Sequence, residues 1–206
     1  MRCGLGHPGM KTSINWVCSA GGPLILIPAE FVTHWRGVEG CSPREDGSDL
    51  SGESSSDYAR ACGIDDYLGM LEVGSGRALI LGDEPMQTAF LPSHDGGIVV
   101  RWMYAEDEDG VWRAVGAVPE SAWEPTPHRI EVAREGILVF DSAYPGDILP
   151  ASLEDGAATP WIRIELSSGT YLVDMADYSP DSSTRLILHR LRKLRADLAD
   201  STLLTR

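Results

Sequence analysis

Cysteine is scarce in this sequence, and its spacing excludes the familiar cysteine-based sites. The four cysteines stand at positions 3, 18, 41 and 62 of 206 residues. This spacing contains no Cys-x-x-Cys pair, and no histidine follows at the spacing of a zinc ligand. We therefore expect no metal site, and we expect reduced thiols in a cytoplasmic protein.

Long apolar runs are also absent. The first 13 residues, MRCGLGHPGMKTS, lack the apolar core of a signal peptide, and no later stretch has the length of a transmembrane span. Because they are rich in glycine and show no periodicity, we expect a disordered leader over residues 1–13. Translation could start at Met1 or at Met10.

The motifs of nucleotide-using and nucleophilic enzymes are missing as well. There is no Gly-Lys-Ser/Thr of a P-loop and no Gly-x-Ser-x-Gly elbow, and the five histidines are scattered. Gly74-Ser75-Gly76 could open a dinucleotide fingerprint, but Leu79 takes the place of the third glycine and a strand-like run follows. We therefore predict no catalytic residue, no cofactor and no enzyme, and we interpret residues 74–76 as a hairpin turn.

Basic residues are few, and residues 1–184 are more acidic than the whole chain because residues 185–206 are net basic. The chain has 31 acidic and 17 basic residues and a formal charge of −14. Residues 1–184 alone hold 29 acidic and 11 basic residues, a charge of about −18. Such a surface repels nucleic acid and anionic membranes, so we expect neither as a partner. It suits a basic protein partner, or solubility alone.

What the sequence does contain is a series of short apolar runs between turn residues, which predicts a mainly antiparallel β protein of α+β class with a sandwich-like fold. We also expect a short helical turn at residues 29–35 and a C-terminal helix in which Leu191, Leu194 and Leu198 share one face. The expected strands cover residues 24–27, 70–73, 78–81, 98–104, 111–115, 129–133, 137–140, 161–166, 170–175 and 186–191.

A weak internal repeat predicts two similar halves. LEVGSGRALIL at 71–81 resembles IELSSGTYLVD at 164–174, and the runs LILIP and IVVR have counterparts in ILVFD and LILHR. We therefore predict a first β half over 14–105 and a second over 110–206, with Ser167-Ser168-Gly169 as a second hairpin turn. Residues 41–57, rich in Ser, Gly and Asp, are expected to form a mobile surface loop in the first half.

Acidic groups at the ends of predicted strands are the candidate binding residues. Paired carboxylates can bind metal or perform acid/base chemistry, but residues 106–109 lack the glycine and ligand spacing of a calcium loop. They form either a solvated turn or an anionic face for a basic partner. Trp102 and Tyr104 share a strand face beside them, as interface anchors or as core residues. The candidates are Asp65, Asp66, Asp83, Glu84, Trp102, Tyr104, Glu106, Asp107, Glu108 and Asp109.

Three stretches of the chain resemble bacterial immunity protein family 21. They are WVCSAGGPLILIPAEFVTHWRG at 16–37, DYARACGIDDYLGMLEVGSGRALILGDEP at 57–85 and GGIVVRWMYA at 96–105. The resemblance implies a non-catalytic inhibitor of a cognate toxin within a polymorphic toxin system, and such inhibitors often present acidic surfaces to basic nuclease toxins. The second half also resembles competence protein J, a nuclease inhibitor, in its strand–SSG–strand–acidic–Pro pattern. The matching features are Trp16, Ser19, Gly21-Gly22-Pro23, Trp35-Arg36-Gly37, Asp57-Tyr58, Cys62, Asp65-Asp66-Tyr67 and Gly82-Asp83-Glu84-Pro85.

Three functions follow as hypotheses. The first is an immunity protein that occludes a cognate toxin, expected to be basic, through an acidic and aromatic surface. The second is a ligand- or carbohydrate-binding β-sandwich, which would require tryptophans along an exposed groove. The third is a hydrolase, which would require carboxylates from both halves to converge in one pocket. The oligomeric state is left open.

Overall fold

A computed structural model describes residues 14–43, 46, 48, 55–82, 84–133, 136–153 and 161–195. Within them the chain is mainly antiparallel β, as predicted. The strands are β1 (Leu24–Pro28), β2 (Gly69–Val73), β3 (Gly76–Leu81), β4 (Gln87–Ser93), β5 (Gly96–Tyr104), β6 (Glu124–Val132), β7 (Ile137–Asp141), β8 (Trp161–Ile164), β9 (Gly169–Asp181) and β10 (Thr184–Lys193). The helices are α1 (Asp57–Cys62), α2 (Glu108–Ala117) and 3₁₀ segments at Ala29–His34, Gly37–Glu39, Glu120–Ala122 and Gly146–Leu153.

The strands form two five-stranded sheets. Sheet 1 has the order β2-β3-β1-β7-β8, and sheet 2 has the order β4-β5-β10-β9-β6. Each sheet takes strands from both predicted halves, and in each the central antiparallel pair joins one strand of the first half to one of the second: β1 with β7, and β5 with β10. The boundaries of the two halves stay a prediction.

The main core lies between the two sheets. Leu26, Leu79 and Val139 of sheet 1 share a buried cluster with Val99 and Val173 of sheet 2. The outer face of sheet 1 is covered by α1 and the 3₁₀ segments Ala29–His34 and Gly146–Leu153, and that of sheet 2 by α2 and the 3₁₀ segment Glu120–Ala122. Both faces of β1 are therefore buried, which explains why its sequence, LILIP, is continuously apolar and shows no alternation.

The Gly-Ser-Gly stretch is a hairpin turn, as predicted, but its proposed counterpart is not. Val73 pairs with Gly76, and Gly74 has a φ of 60°, a conformation that favours glycine. Residues 167–169 instead connect β8 of sheet 1 to β9 of sheet 2. The prediction of a second hairpin there is wrong because the flanking strands pair with β7 and β6 and not with each other.

Residues 111–115 are helical, so the predicted strand there is wrong. They belong to α2, which buries Val111, Ala114 and Val115 against sheet 2. These positions follow the i, i+3, i+4 spacing of a helix face, and a five-residue run was too short to separate that spacing from strand alternation.

The chain is still extended at the residue where the C-terminal helix was expected to begin. Leu191 is buried within β10, which continues to Lys193, and Leu194 donates its backbone N–H to the carbonyl of Thr170. The rest of the predicted helix, the leader 1–13 and most of the loop at 41–57 lie outside the described residues. Asp57, expected in that loop, is fully buried at the start of α1.

Candidate functional site

The predicted acidic residues and aromatic anchors are brought together in part at the end of sheet 2 where β5 finishes. Gln87, which opens β4, pairs with Trp102, and Arg185, near the start of β10, pairs with Tyr104. The segment 84–86 therefore precedes β4 at the same edge at which 105–109 leave β5. We call residues 65–67, 84–86 and 102–109 the β5 end.

Arg101 links the segment 65–67 to this edge. Its side chain is fully buried, and it donates from Nη1 to the carbonyl of Tyr67 (3.3 Å) and from Nη2 to the carbonyl of Glu84 (2.8 Å). Gly82 packs directly on the same segment, since a Cβ there would lie 2.3 Å from the carbonyl oxygen of Asp66. Asp65, Asp66 and Glu84 are exposed beside this contact, whereas Asp83 lies outside the described residues.

Residues 106–109 are not simply a solvated turn, because they form the start of α2. Asp107 is the N-cap, and its Oδ1 accepts the backbone N–H of Gly110 at 2.7 Å. Glu108 and Asp109 occupy the first turn, where negative charge is favourable beside the positive end of the helix dipole. All four side chains remain exposed.

Three tryptophans form a half-buried cluster next to these acids. The ring of Trp16 lies 5.7 Å from Trp102 and 5.4 Å from Trp112, centroid to centroid. Glu108 Oε1 accepts the indole N–H of Trp16 at 3.1 Å and that of Trp112 at 3.0 Å. Trp102 thus packs on Trp16 within the protein, while Tyr104, 44% exposed, is the more accessible aromatic.

Five of the carboxylates at the β5 end differ from many others because they form no ion pair within the described residues. Elsewhere Asp57, Asp95, Asp174 and Asp177 all form ion pairs with arginines at 3.0 Å or less. Within the part of the chain that the structure describes, five acids at the β5 end form no ion pair, and Asp107 has only an exposed contact to Arg113 at 3.9 Å. The five are Asp65, Asp66, Glu84, Glu106 and Asp109.

A small cavity of about 170 Å³ opens beside Asp66. Asp66 and Glu124 contribute carboxylates from the two predicted halves, and Leu68 and Met175 contribute apolar wall. His128 also lines it; burial lowers the pKa of this histidine below its ordinary value, and the charge of Asp66 opposes that shift. Carboxylates beside apolar wall suit the side chain of a lysine or arginine, with its charged head and methylene stem.

Asp65 does not line this cavity. It lines a separate one of about 310 Å³, together with Gly21, Gly22 and Cys62. Within the described residues, no group of three His, Cys, Asp or Glu side chains is placed to hold a metal ion.

Sequence reasoning missed Arg101, Trp16 and Glu124 as parts of this region. Arg101 did carry a signal, because it ends the apolar run IVVR inside the predicted strand 98–104. A charged residue in such a place is buried only if its donors are satisfied. Trp16 and Glu124 are far from the other residues in sequence and carried none.

Among the helices of the described residues, none is long and apolar enough to cross a membrane. In a comparison with known families, the model described as Immunity protein 21 aligns with residues 15–184. No curated protein and no solved structure matches the chain. Since the match covers most of its length, the chain belongs to the immunity protein 21 family. Membership implies an immunity protein whose partner is a cognate toxin.

Proposed function

We propose that this immunity protein blocks its toxin by occlusion, with the β5 end as the docking surface and a basic, nuclease-type toxin as the partner. The observation that carries the proposal is the set of five unneutralised carboxylates around Tyr104 and the tryptophan cluster. An interface of this kind needs aromatic anchors and charge complementarity, and it needs no chemical step.

Charge and aromatic contacts have different roles in this proposal. A chain charge of −14 attracts a basic partner over long range and raises the association rate, an effect that salt weakens. Nanomolar affinity corresponds to about −12 kcal/mol, most of which comes from a few well-packed anchors in known interfaces. We assign the anchor role to Tyr104 and the exposed parts of the tryptophan cluster.

Expression of the neighbouring toxin gene with and without this protein tests the proposal. We expect the protein to restore growth, and equal killing in both strains would overturn the proposal. The docking surface is tested by Glu106→Gln with Asp109→Asn, since neither side chain has an internal ion pair. This double variant is expected to slow toxin association several-fold and to flatten its salt dependence.

The matched control is Glu131→Gln, which removes an exposed charge at the opposite end of sheet 2. Glu131 pairs with Thr170 near the start of β9, whereas Glu124, at the other end of β6, pairs with Met175. If the control slows association as much as the double variant, only net charge matters and the β5 end is not the interface.

One observation favours the hydrolase, because Asp66 and Glu124 come from both halves and line one cavity with His128. Substrate pockets usually have volumes of about 300–1,000 Å³, and this cavity is smaller. Asp66→Asn and Glu124→Gln should therefore weaken toxin binding in proportion to lost charge. Toxin degraded in the complex, by wild type but not by these variants, would instead establish catalysis.

The tryptophans count against the carbohydrate-binding alternative. Trp35 is fully buried, and Trp16, Trp102 and Trp112 pack on one another. Trp161 donates its indole N–H to the carbonyl of Leu149 at 3.0 Å. Arg190 lies over the ring of Trp123, so none of these tryptophans is shown lining an exposed groove in the described residues.

A further inference from the structure

Arg101 is a fully buried cation on β5, and it donates two hydrogen bonds to the acidic segments of the β5 end. We propose that Arg101 is the positioning residue of the toxin-docking surface. From inside the molecule it fixes the spacing between Asp66 and Glu84, although it touches no toxin itself. This inference rests on the proposed function and adds the residue that determines the geometry of the surface.

The base of this arrangement is rigid. β5 is hydrogen-bonded to β4 on one side and to β10 on the other. Arg101 lies on the same strand face as Val99, which belongs to the core between the sheets, while Val100 faces α2. Its guanidinium group therefore projects from a strand paired on both sides toward the loops at the end of the sandwich.

The bonds from Arg101 join segments that are distant in sequence. Tyr67 and Glu84 precede and follow the β2–β3 hairpin, and one side chain binds the main chain of both. A planar guanidinium with five N–H groups can do this, whereas a lysine ammonium is a flexible point donor with a poorer fit to two fixed acceptors. Loss of these bonds would leave two inward-facing carbonyl groups without their cationic donor.

The acceptors that the structure shows are backbone carbonyls, which leaves the carboxylates of these segments outside. Asp66 and Glu84 are exposed, and Asp66 Oδ1 accepts the N–H of Tyr67 at 2.7 Å. The cation thus holds the loops through their main chain while their side-chain charges face solvent.

His189, the buried polar neighbour of Arg101, adds no charge beside it. It is buried on the neighbouring strand β10, and neither ring nitrogen has a hydrogen-bond partner within the described structure. Burial and the nearby charge of Arg101 lower the pKa of His189 to about 3, so it is neutral at physiological pH. Of the two neighbouring side chains Arg101 and His189, only Arg101 is then charged.

Arg190 provides a matched control because it ends the similar run LILHR on β10 and forms its hydrogen bonds on the opposite face of sheet 2. Its guanidinium binds Glu120 and Asp174 and lies 4.5 Å over the ring of Trp123. Arg190→Met should reduce folding stability without altering the segments 65–67 and 84–86. It separates a general loss of stability from a loss of loop position.

The experiment combines amide hydrogen exchange of the free protein with toxin-binding measurements for Arg101→Met, Arg101→Lys and Arg190→Met. In both Arg101 variants we expect faster amide exchange in residues 65–67 and 84–86. We expect toxin binding to be about tenfold weaker for Arg101→Met, and the affinity of Arg101→Lys to lie between those of Arg101→Met and the wild type. Arg190→Met should leave both properties close to wild type. Arg101→Lys keeps a positive charge and supplies the folded variant if Arg101→Met does not fold.

A double-variant cycle separates positioning from stability. If Arg101 positions Asp66, Asp66→Asn should weaken binding several-fold in the wild-type background and by much less in the Arg101→Lys background. Equal effects of Asp66→Asn in both backgrounds, or unchanged loop exchange, would overturn the inference while leaving toxin neutralisation intact. Failure of the wild-type protein to bind toxin would refute the proposed function, and exchange in the free protein would still show whether Arg101 holds the loops.

Discussion

The two sheets have equivalent central strand pairs, β1–β7 in sheet 1 and β5–β10 in sheet 2, but the side chains that these pairs bury are different. In sheet 1 every residue of β1 and β7 is buried. All of these residues are apolar or proline except Asp141, the last residue of β7. In sheet 2 the pair β5–β10 buries Arg101 and His189 among its apolar residues. The central pair of sheet 1 is thus almost wholly apolar, while that of sheet 2 buries two basic side chains, one of which, Arg101, connects to the proposed docking loops. Four predictions test this difference.

The largest effect is expected in sheet 1. Phe140→Ala removes a fully buried ring from the centre of β7 and should lower the free energy of unfolding by about 3–5 kcal/mol. Urea unfolding followed by tryptophan fluorescence measures this. Val38→Ala, at a side chain that is 58% exposed, is the control and should change stability little. A cost below about 1 kcal/mol for Phe140→Ala would show that sheet 1 is not the core we describe.

The second effect concerns the buried carboxylate of sheet 2. Burial raises the pKa of Asp174, but hydrogen bonds from Arg192 and Arg190 outweigh it and hold the pKa below its usual range. The stabilisation is therefore present above about pH 4 and is lost as pH falls through the folded-state pKa. Asp174→Asn should cost about 2–4 kcal/mol at pH 7 and weaken the pH dependence below pH 4. Stability that is unchanged in this variant would contradict the ion-pair network.

The third prediction uses His189, whose pKa is lowered to about 3. Because the unfolded state binds a proton near pH 6.5 and the folded state does not, stability should fall as pH drops from 6.5 toward 3. The slope is about 1.4 kcal/mol per pH unit, or about 2 kcal/mol by pH 5. His189→Leu should remove this slope, as urea midpoints at pH 7, 6 and 5 would show. A variant with the wild-type slope would assign the effect to another group.

The smallest effect lies at the helix that covers sheet 2. Asp107→Ala removes the N-cap of α2 and should lower stability by about 1 kcal/mol, whereas Asp107→Asn keeps an acceptor and should cost less. Thermal unfolding of the two variants in parallel measures the difference. Equal losses would mean that the charge of Asp107, and not its capping bond, supports the helix.

Much of the fold could be predicted from local sequence, and the failures have identifiable causes. The runs LILIP and ILVFD form the predicted strands, and every residue in them is buried. VWRAV was ambiguous, and only the face presented to sheet 2 made it helical. The run from 186 continued as strand through Leu191 because β9 and β5 were available on both sides.

The candidate site was less accessible to prediction. Acidic pairs stood out by composition, and the family could be identified from motifs such as GDEP and WRG. The cap of α2 by Asp107 is a local contact, to Gly110 three residues on, and it was missed because residues 111–115 were predicted as a strand. The bond from Trp16 to Glu108 joins residues 92 positions apart, which local patterns do not connect.

The sequence by itself determined the β class, the acidic charge, the hairpin at Gly74 and the family, because each depends on composition or on neighbouring residues. Only the tertiary structure decided which carboxylates are neutralised, which strands share a sheet and that Arg101 joins two acidic segments. The physical reason is that ion pairs, sheet order and buried hydrogen bonds are formed between residues distant along the chain. Their partners are selected by packing, after the local elements have formed.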